Sequence, residues 1–452
     1  MSIVFLNVAP ENVRERRYDK PNYPDPALGA IYSYLNKYHV ECSIIDAKLE
    51  RLNLIKTIKK LEFLRPAVIG FTSFTHEIER TAYAAGFIKN KFPGVKILIG
   101  GSHANALPGE TLLEFPVFDI AVYGEGEETI IELVRNKFEN LETIPGIAYK
   151  RGKDVIVNNP RPYLEADKLS TVNWSKFPKA RYYPVFTSRG CKNKCIFCSR
   201  PFGSKVRYRP LPDIIEEIRQ LQKIFRPKTI YFWDENLCSD RARSAELFKR
   251  IIADKDIKGI KWFCQTHARD LDYELLKLMK EAGCIRIGVG IESGNEGVLE
   301  KIKKGNDKKQ ITQVVSWLKE IRIPMEGFFL LGLPDENWQT AMETINFAVN
   351  INPKYPIFGI VVPYPGTEIY SMAKRGEGGY KIISKRWRDY NKLIGKSMEL
   401  RSLSRRQLEI LQLYGYASVL VKNLRIADTI RFIFQFHWDI KSYLVNFFQL
   451  AE

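Results

Sequence analysis

The run Ser188-Arg189-Gly190-Cys191-Lys192-Asn193-Lys194-Cys195-Ile196-Phe197-Cys198-Ser199 sets Cys191, Cys195 and Cys198 apart by three and then two residues. One short loop with that spacing points three thiolates at one face of an iron-sulfur cluster, whereas a four-iron cube has four corners to ligate. One iron is left without a local cysteine and is open to a substrate or cosubstrate. Two simpler readings compete. A structural zinc site needs a fourth Cys or His, and no His lies within sixty residues on either side. Disulfide chemistry fits poorly with an odd total of seven cysteines in a long chain that opens without a basic leader. The expected compartment is reducing cytosol.

Outward from this loop, apolar strands are expected at 183–187, 229–233, 261–264, 285–291, 325–331 and 357–362, each pair separated by a helix. Six such units predict a partial (β/α)6 barrel over 182–372, with its active site on the loops at the strand carboxyl ends. The cysteines directly follow the first of these strands. Cys42, Cys238, Cys264 and Cys284 read as small buried hydrophobes, although Cys238 and Cys264 sit where they could open onto the barrel mouth.

Upstream, strands at 3–8, 40–46, 67–71, 95–100 and 118–123 alternate with helices at 27–38, 54–64, 76–91, 109–115 and 127–138. This α/β pattern predicts an N-terminal doubly wound parallel sheet, Rossmann-like, over 1–140. Such sheets bind ligands at their strand carboxyl ends. There lie Gly70-Phe71-Thr72-Ser73-Phe74-Thr75, Gly100-Gly101-Ser102-His103 and Gly124-Glu125-Gly126-Glu127. Glycine lets backbone approach a ligand closely and Thr72 and Ser73 offer hydroxyls; the same residues also end strands and cap helices. No Gly-x-Gly-x-x-Gly follows the first strand, which disfavours an ordinary dinucleotide site. A connecting segment, 141–181, holds a hairpin where 147–149 and 155–157 flank Arg151-Gly152-Lys153-Asp154.

The Gly-Gly-x-His and Gly-Glu-Gly-Glu runs resemble those of the cobalamin-binding domain that precedes many radical S-adenosylmethionine enzymes. The resemblance implies a cobalamin pocket lined by Thr72, Ser73, Gly100, Gly101, Gly124 and Glu125, with His103 beside it. The Asp-x-His-x-x-Gly motif that gives a histidine to cobalt in other cobalamin proteins is absent, so a lower face without histidine is expected.

The second half resembles the radical S-adenosylmethionine superfamily, whose signature the cysteine spacing matches. The resemblance implies a 4Fe-4S cluster on Cys191, Cys195 and Cys198, with S-adenosylmethionine on the open iron. Phe197 fits the aromatic that packs near the adenine. Asp234 and Glu235, in Tyr231-Phe232-Trp233-Asp234-Glu235-Asn236, stand where the family holds the methionine amine. Glu292 and Ser293 match groups near the ribose or methionine, and Leu331 and Gly332 lie near the expected adenine. Pro363-Tyr364-Pro365-Gly366-Thr367 resembles a run frequent in cobalamin-type members. Each segment alone also reads as a helix start or turn.

The implied activity is methyl transfer from methylcobalamin to an unactivated carbon, after hydrogen abstraction by a 5'-deoxyadenosyl radical. Alternatives are cyclisation or rearrangement without methylation, a tRNA-modifying enzyme, and a non-catalytic cluster protein. The expected partners are a small-molecule, lipid or peptide substrate and an external one-electron reductant; no nucleic acid is expected. The net charge is +18, of which +8 falls in the basic C-terminal segment 373–452, with fifteen Lys and Arg against seven Asp and Glu. Such an excess suits nucleic acid, an anionic membrane or an acidic substrate, or merely a lysine-rich composition. From Ser404 a helical period places Leu408, Leu411, Leu413, Tyr414, Val419, Leu420 and Leu424 on one face. The aromatic and basic stretch 430–448 reads as a helix capping the barrel or one lying on a membrane surface.

Overall fold

The structure, a computed structural model, describes residues 2–10, 21–392, 396–431 and 433. The first unit is a seven-stranded sheet in the order β2-β1-β3-β4-β5-β6-β7. Its strands are β1 (Ile3–Asn7), β2 (Cys42–Asp46), β3 (Val68–Thr72), β4 (Lys96–Gly100), β5 (Ile120–Val122), β6 (Ile147–Arg151) and β7 (Asp154–Val157). The first five run parallel, and β6 and β7 join antiparallel. The hairpin read from sequence as part of a connection is thus the edge of this sheet. Its Ile147, Ala148 and Tyr149 are buried there, which a free hairpin would leave wet.

Side chains alternate across these strands with period two. Ile3 and Phe5 share a core with the helices Pro26–Lys37 and Gly126–Arg135, while Val4 and Leu6 share another with Leu54–Leu64 and Ile78–Lys91. Both faces are dry, which is why Ile3-Val4-Phe5-Leu6 is apolar without interruption.

The second unit is a six-stranded parallel sheet whose spatial order follows the sequence. Its strands are β8 (Tyr182–Val185), β11 (Thr229–Phe232), β12 (Trp262–Thr266), β13 (Cys284–Glu292), β14 (Met325–Leu331) and β15 (Tyr355–Ile360), and it forms an open, partial barrel. Beside β8 an antiparallel pair, β9 (Ser188–Arg189) with β10 (Arg207–Tyr208), brackets the cysteine loop. Cys238, Cys264 and Cys284 are buried in the barrel core rather than open to its mouth. Burial pushes the Cys238 thiol up to about 12.

The C-terminal segment first forms a hairpin, β16 (Tyr380–Ile382) with β17 (Met398–Leu400). Between these strands Trp387 and Tyr390 pack back onto the first unit, and Trp387 Nε1 donates to Glu114. The helix Arg405–Lys422 then lies on β15, where a Cβ on Gly415 would meet the Phe358 ring at 2.9 Å. Leu408, Leu411, Val419 and Leu420 form its buried stripe; Leu413 is only half-buried, and Tyr414 and Leu424, assigned to the same face by sequence, are exposed. Most of the aromatic stretch 430–448 lies outside the described residues. Among the described residues no helix is long and apolar enough to cross a membrane.

Candidate active site

The cysteine loop is fixed at its base. Gly190 has φ +99°, and a Cβ on it would stand 2.3 Å from the Lys205 carbonyl oxygen, so only glycine lets the chain turn there. The N–H of Cys191 donates to the Gly203 carbonyl (3.1 Å), that of Ile196 to Ile302 (3.2 Å) and that of Cys198 to Cys195 (3.2 Å). Cys191 and Cys195 are buried and Cys198 is exposed. Burial pushes the Cys195 thiol up, a cost that coordination of the thiolate to iron would remove. Among the described residues no three His, Cys, Asp or Glu side chains gather to hold a single ion; a cluster instead takes each thiolate on its own iron.

Glu235 follows β11. Burial, aided by the neighbouring Asp234 charge, pushes its carboxyl up to about 7. Both its oxygens are buried without a well-formed hydrogen bond. A desolvated carboxylate beside the cysteine loop fits the ammonium of an amino acid, which would supply the missing donors.

Asp234 differs. It accepts from Thr187 Oγ1 (2.8 Å), Ser188 Oγ (2.6 Å) and the Thr187 N–H (3.2 Å), all on the chain leading into the cysteine loop. Burial holds its carboxyl above the usual range while these donors pull it back. It braces the loop mainly through Oδ1, which takes all three of these bonds, while Oδ2 shares only the Thr187 N–H at 3.2 Å.

On β13, Glu292 pairs with Lys304, which the sequence reading passed over, at 2.7 Å; Lys304 Nζ lies 5.7 Å from the Phe197 ring centre. Burial opposes the Lys304 charge, but Glu292 and the nearby cysteines hold its ammonium above the ordinary lysine range. Three residues expected beside the ligand make internal contacts. Ser293 is fully buried, its hydroxyl 3.1 Å from Thr344 Oγ1 and accepting from the Asn295 N–H. Leu331 sits in the hydrophobic core and its carbonyl accepts from Val361 N–H (2.8 Å). Gly332 lies against Leu408 and Met398, and its N–H donates to Glu336 (2.6 Å). All three are used internally.

A cavity lies between the carboxyl edge of the first sheet and the start of the barrel. Thr72, Ser73, Gly100, Gly101, Gly124 and Glu125 line it from one side; Phe186, Arg189, Phe202 and Trp233 line it from the other. This edge includes the β1/β3 switch point, where ligands enter such sheets. Gly124 has φ +79° and no atom within 4 Å of the Cβ it lacks, so any side chain there would fill the open cradle. Gly101 has φ +90°, and its missing Cβ would collide with Ser73 N and O at 2.6 Å. A bare-backbone cradle with a hydroxyl at Thr72 suits a large cofactor laid across the strand ends. Ser73 spends its hydroxyl internally, on the Phe74 carbonyl and Thr81.

His103 also sits elsewhere. It is buried away from this lining, its ring edge-on to Trp387 at 4.8 Å, and burial pushes its imidazole down to about 4. His76 lines the cavity instead. Glu125 lines it too, but its carboxylate is held by Arg189 (2.9 Å), Arg207 (2.8 Å) and the Leu164 N–H (2.6 Å). Glu127 holds the second nitrogen of Arg189 at 2.7 Å. Arg189 belongs to the cysteine motif itself, yet its partners are more than sixty residues away in sequence, so no local pattern reveals them.

The geometry agrees with known proteins. Residues 185–348 match the Radical SAM superfamily and residues 19–134 the B12 binding domain. The chain is 30% identical over 426 residues to an uncharacterized methyltransferase of Pyrococcus horikoshii, covering 91% of each. It is 26% identical to the anaerobic magnesium-protoporphyrin IX monomethyl ester cyclase of Rubrivivax gelatinosus, over 77% of this chain and 66% of that one. Its fold is that of the radical S-adenosylmethionine methyltransferase TsrM of Kitasatospora setae, solved with cobalamin and a [4Fe-4S] cluster. There the TM-score is 0.73 and the identity 15%, over 93% of this chain and 88% of that one. The chain belongs to the cobalamin-binding radical S-adenosylmethionine family. It is a radical S-adenosylmethionine enzyme whose cofactors are a [4Fe-4S] cluster, S-adenosylmethionine and cobalamin.

Proposed function

We propose that the enzyme transfers a methyl group to an unactivated carbon of a small-molecule, lipid or peptide substrate, drawing electrons from an external reductant. The observation that carries this reading is the placement of the glycine-lined cavity directly against the barrel edge that bears the cysteine loop. Bound there, the cluster and S-adenosylmethionine supply a hydrogen-abstracting radical, and cobalamin carries the methyl group. In this reading residues 1–140, extended by the β6–β7 edge, hold cobalamin, the rest of 141–181 connects, 182–372 hold the cluster and S-adenosylmethionine, and the described residues of 373–452 close the barrel. Cys191, Cys195 and Cys198 each ligate one iron. Glu235 receives the methionine ammonium, Lys304 offers a cation for the carboxylate, and Phe197 packs near the adenine. Phe186, Phe202 and Trp233, with Tyr23 at 4.8 Å from Trp233, form an apolar wall that keeps water from a radical.

The cyclase relative supports a second reading, ring closure or rearrangement without methylation. Incubating the reconstituted enzyme with reductant, cobalamin and S-adenosylmethionine labelled in its methyl group separates the two. Methyl transfer predicts label on cobalamin and release of S-adenosylhomocysteine. Release of 5'-deoxyadenosine alone, with cobalamin unlabelled, supports cyclisation.

A further inference from the structure

Glu125, Glu127, Arg189 and Arg207 form a buried ion cluster that joins the two units. Arg189 Nη1 lies 2.9 Å from Glu125 Oε1, Arg189 Nη2 2.7 Å from Glu127 Oε1, and Arg207 Nη1 2.8 Å from Glu125 Oε2. Burial alone would raise the Glu125 carboxyl, but Arg207 and Arg189 hold it below the usual range. Charges this deep persist only when paired, and removing one strands the others.

Two features make the cluster more than a rivet. Glu125, Glu127 and Arg189 all line the cavity, and the Arg189 guanidinium also covers the cavity walls Phe202 (5.2 Å) and Phe186 (5.9 Å). Arg189 is also the residue before Gly190, whose fixed turn delivers Cys191. A ligand on that wall would therefore meet the group that anchors the base of the cysteine loop.

We propose that Arg189 is a positioning residue that couples occupancy of the cavity to the geometry of the cysteine loop, so that each cofactor is bound better when the other is in place. This rests on the two-cofactor reading. Coupling of this kind is reciprocal, and typical values correspond to about five-fold or more in affinity. The arrangement serves the chemistry, since a radical generated before the cavity is filled would be wasted.

The test is a titration with hydroxocobalamin, followed by absorbance, of wild type, Arg189→Lys and Glu127→Gln, each before and after cluster reconstitution. Wild type is expected to bind about five-fold or more tightly with the cluster present. Arg189→Lys keeps the charge but loses the fork that reaches both carboxylates, and is expected to bind equally in both states at unchanged iron content. Glu127→Gln is expected to fall between. A wild type with equal affinities, or an Arg189→Lys protein with the wild-type ratio, overturns the inference. Should Arg189→Lys not fold, Glu127→Gln decides: an unchanged ratio overturns the inference and a reduced one supports it. A wild type that binds no cobalamin in either state overturns the cofactor reading together with it.

Discussion

Lys304 Nζ stands 2.7 Å from Glu292 Oε1, in a pair buried on both sides and seated on the bare backbone of Gly290. A Cβ on Gly290 would lie 2.4 Å from the Glu292 oxygen and 2.6 Å from the Lys304 nitrogen. Glu292 itself has φ +68°, where the β13 to β14 register shifts. The strand end is thus deformed to set one ion pair beside Phe197 of the cysteine loop.

Removing one partner of a buried ion pair costs about 3–5 kcal/mol, while replacing both with apolar groups is close to neutral. Urea unfolding of Lys304→Met and Glu292→Leu should show two strongly destabilised proteins, and the double variant should recover most of the loss. A double variant no better than either single would mean that the pair is not a closed unit.

Glu235 is expected to matter for ligand binding rather than for folding, because neither of its oxygens makes a well-formed hydrogen bond. A hydrogen bond to a charged group is worth about 1.5–3 kcal/mol. Calorimetric titration of reconstituted Glu235→Gln with S-adenosylmethionine should therefore show affinity at least tenfold weaker, at a melting temperature no lower than that of wild type because the buried carboxyl raised to about 7 is removed. Wild-type affinity would remove Glu235 from the site.

The two cavity glycines separate in the same way. Gly124→Leu places a side chain in open space, and is expected to block cobalamin binding while costing only about 1–2 kcal/mol for its left-handed backbone. Gly101→Ala meets Ser73 at 2.6 Å and is expected to destabilise the unit well beyond that. Equal melting temperatures for the two proteins would contradict the contrast.

The cysteine loop and the strand-end glycines were legible because each is a local pattern: a spacing, or a small residue at the end of an apolar run. The internal contacts of Asp234, Ser293, Leu331, Gly332 and His103 were not legible, because a residue at a strand end looks the same whether it faces a ligand or a neighbouring element. Their partners, Ser188, Thr344, Val361, Glu336 and Trp387, are set by packing between segments. Lys304 and the Arg189 cluster went unseen for the same reason. The β6–β7 hairpin carries a turn signal, but the sheet it extends is decided by which apolar edge lies near.

Glu336 gives a pH signature. Burial pushes its carboxyl up to about 8, from an ordinary value of 4.5. The folded protein keeps this proton where the unfolded chain has lost it, so stability declines as pH rises from about 4.5 to about 8 and then levels off. Thermal melts at pH 5 and pH 8 should show wild type losing several degrees that Glu336→Gln keeps. The same loss in both proteins would place the titration elsewhere.

The central claim is that the cysteine loop holds a cluster that cleaves S-adenosylmethionine, and it is tested most directly by the nucleoside produced. Wild type and a Cys191→Ala/Cys195→Ala/Cys198→Ala variant are reconstituted anaerobically, supplied with reductant and S-adenosylmethionine, and assayed for 5'-deoxyadenosine by chromatography. Formation by wild type and none by the variant is the predicted result; no 5'-deoxyadenosine from wild type, or equal amounts from both, would contradict it.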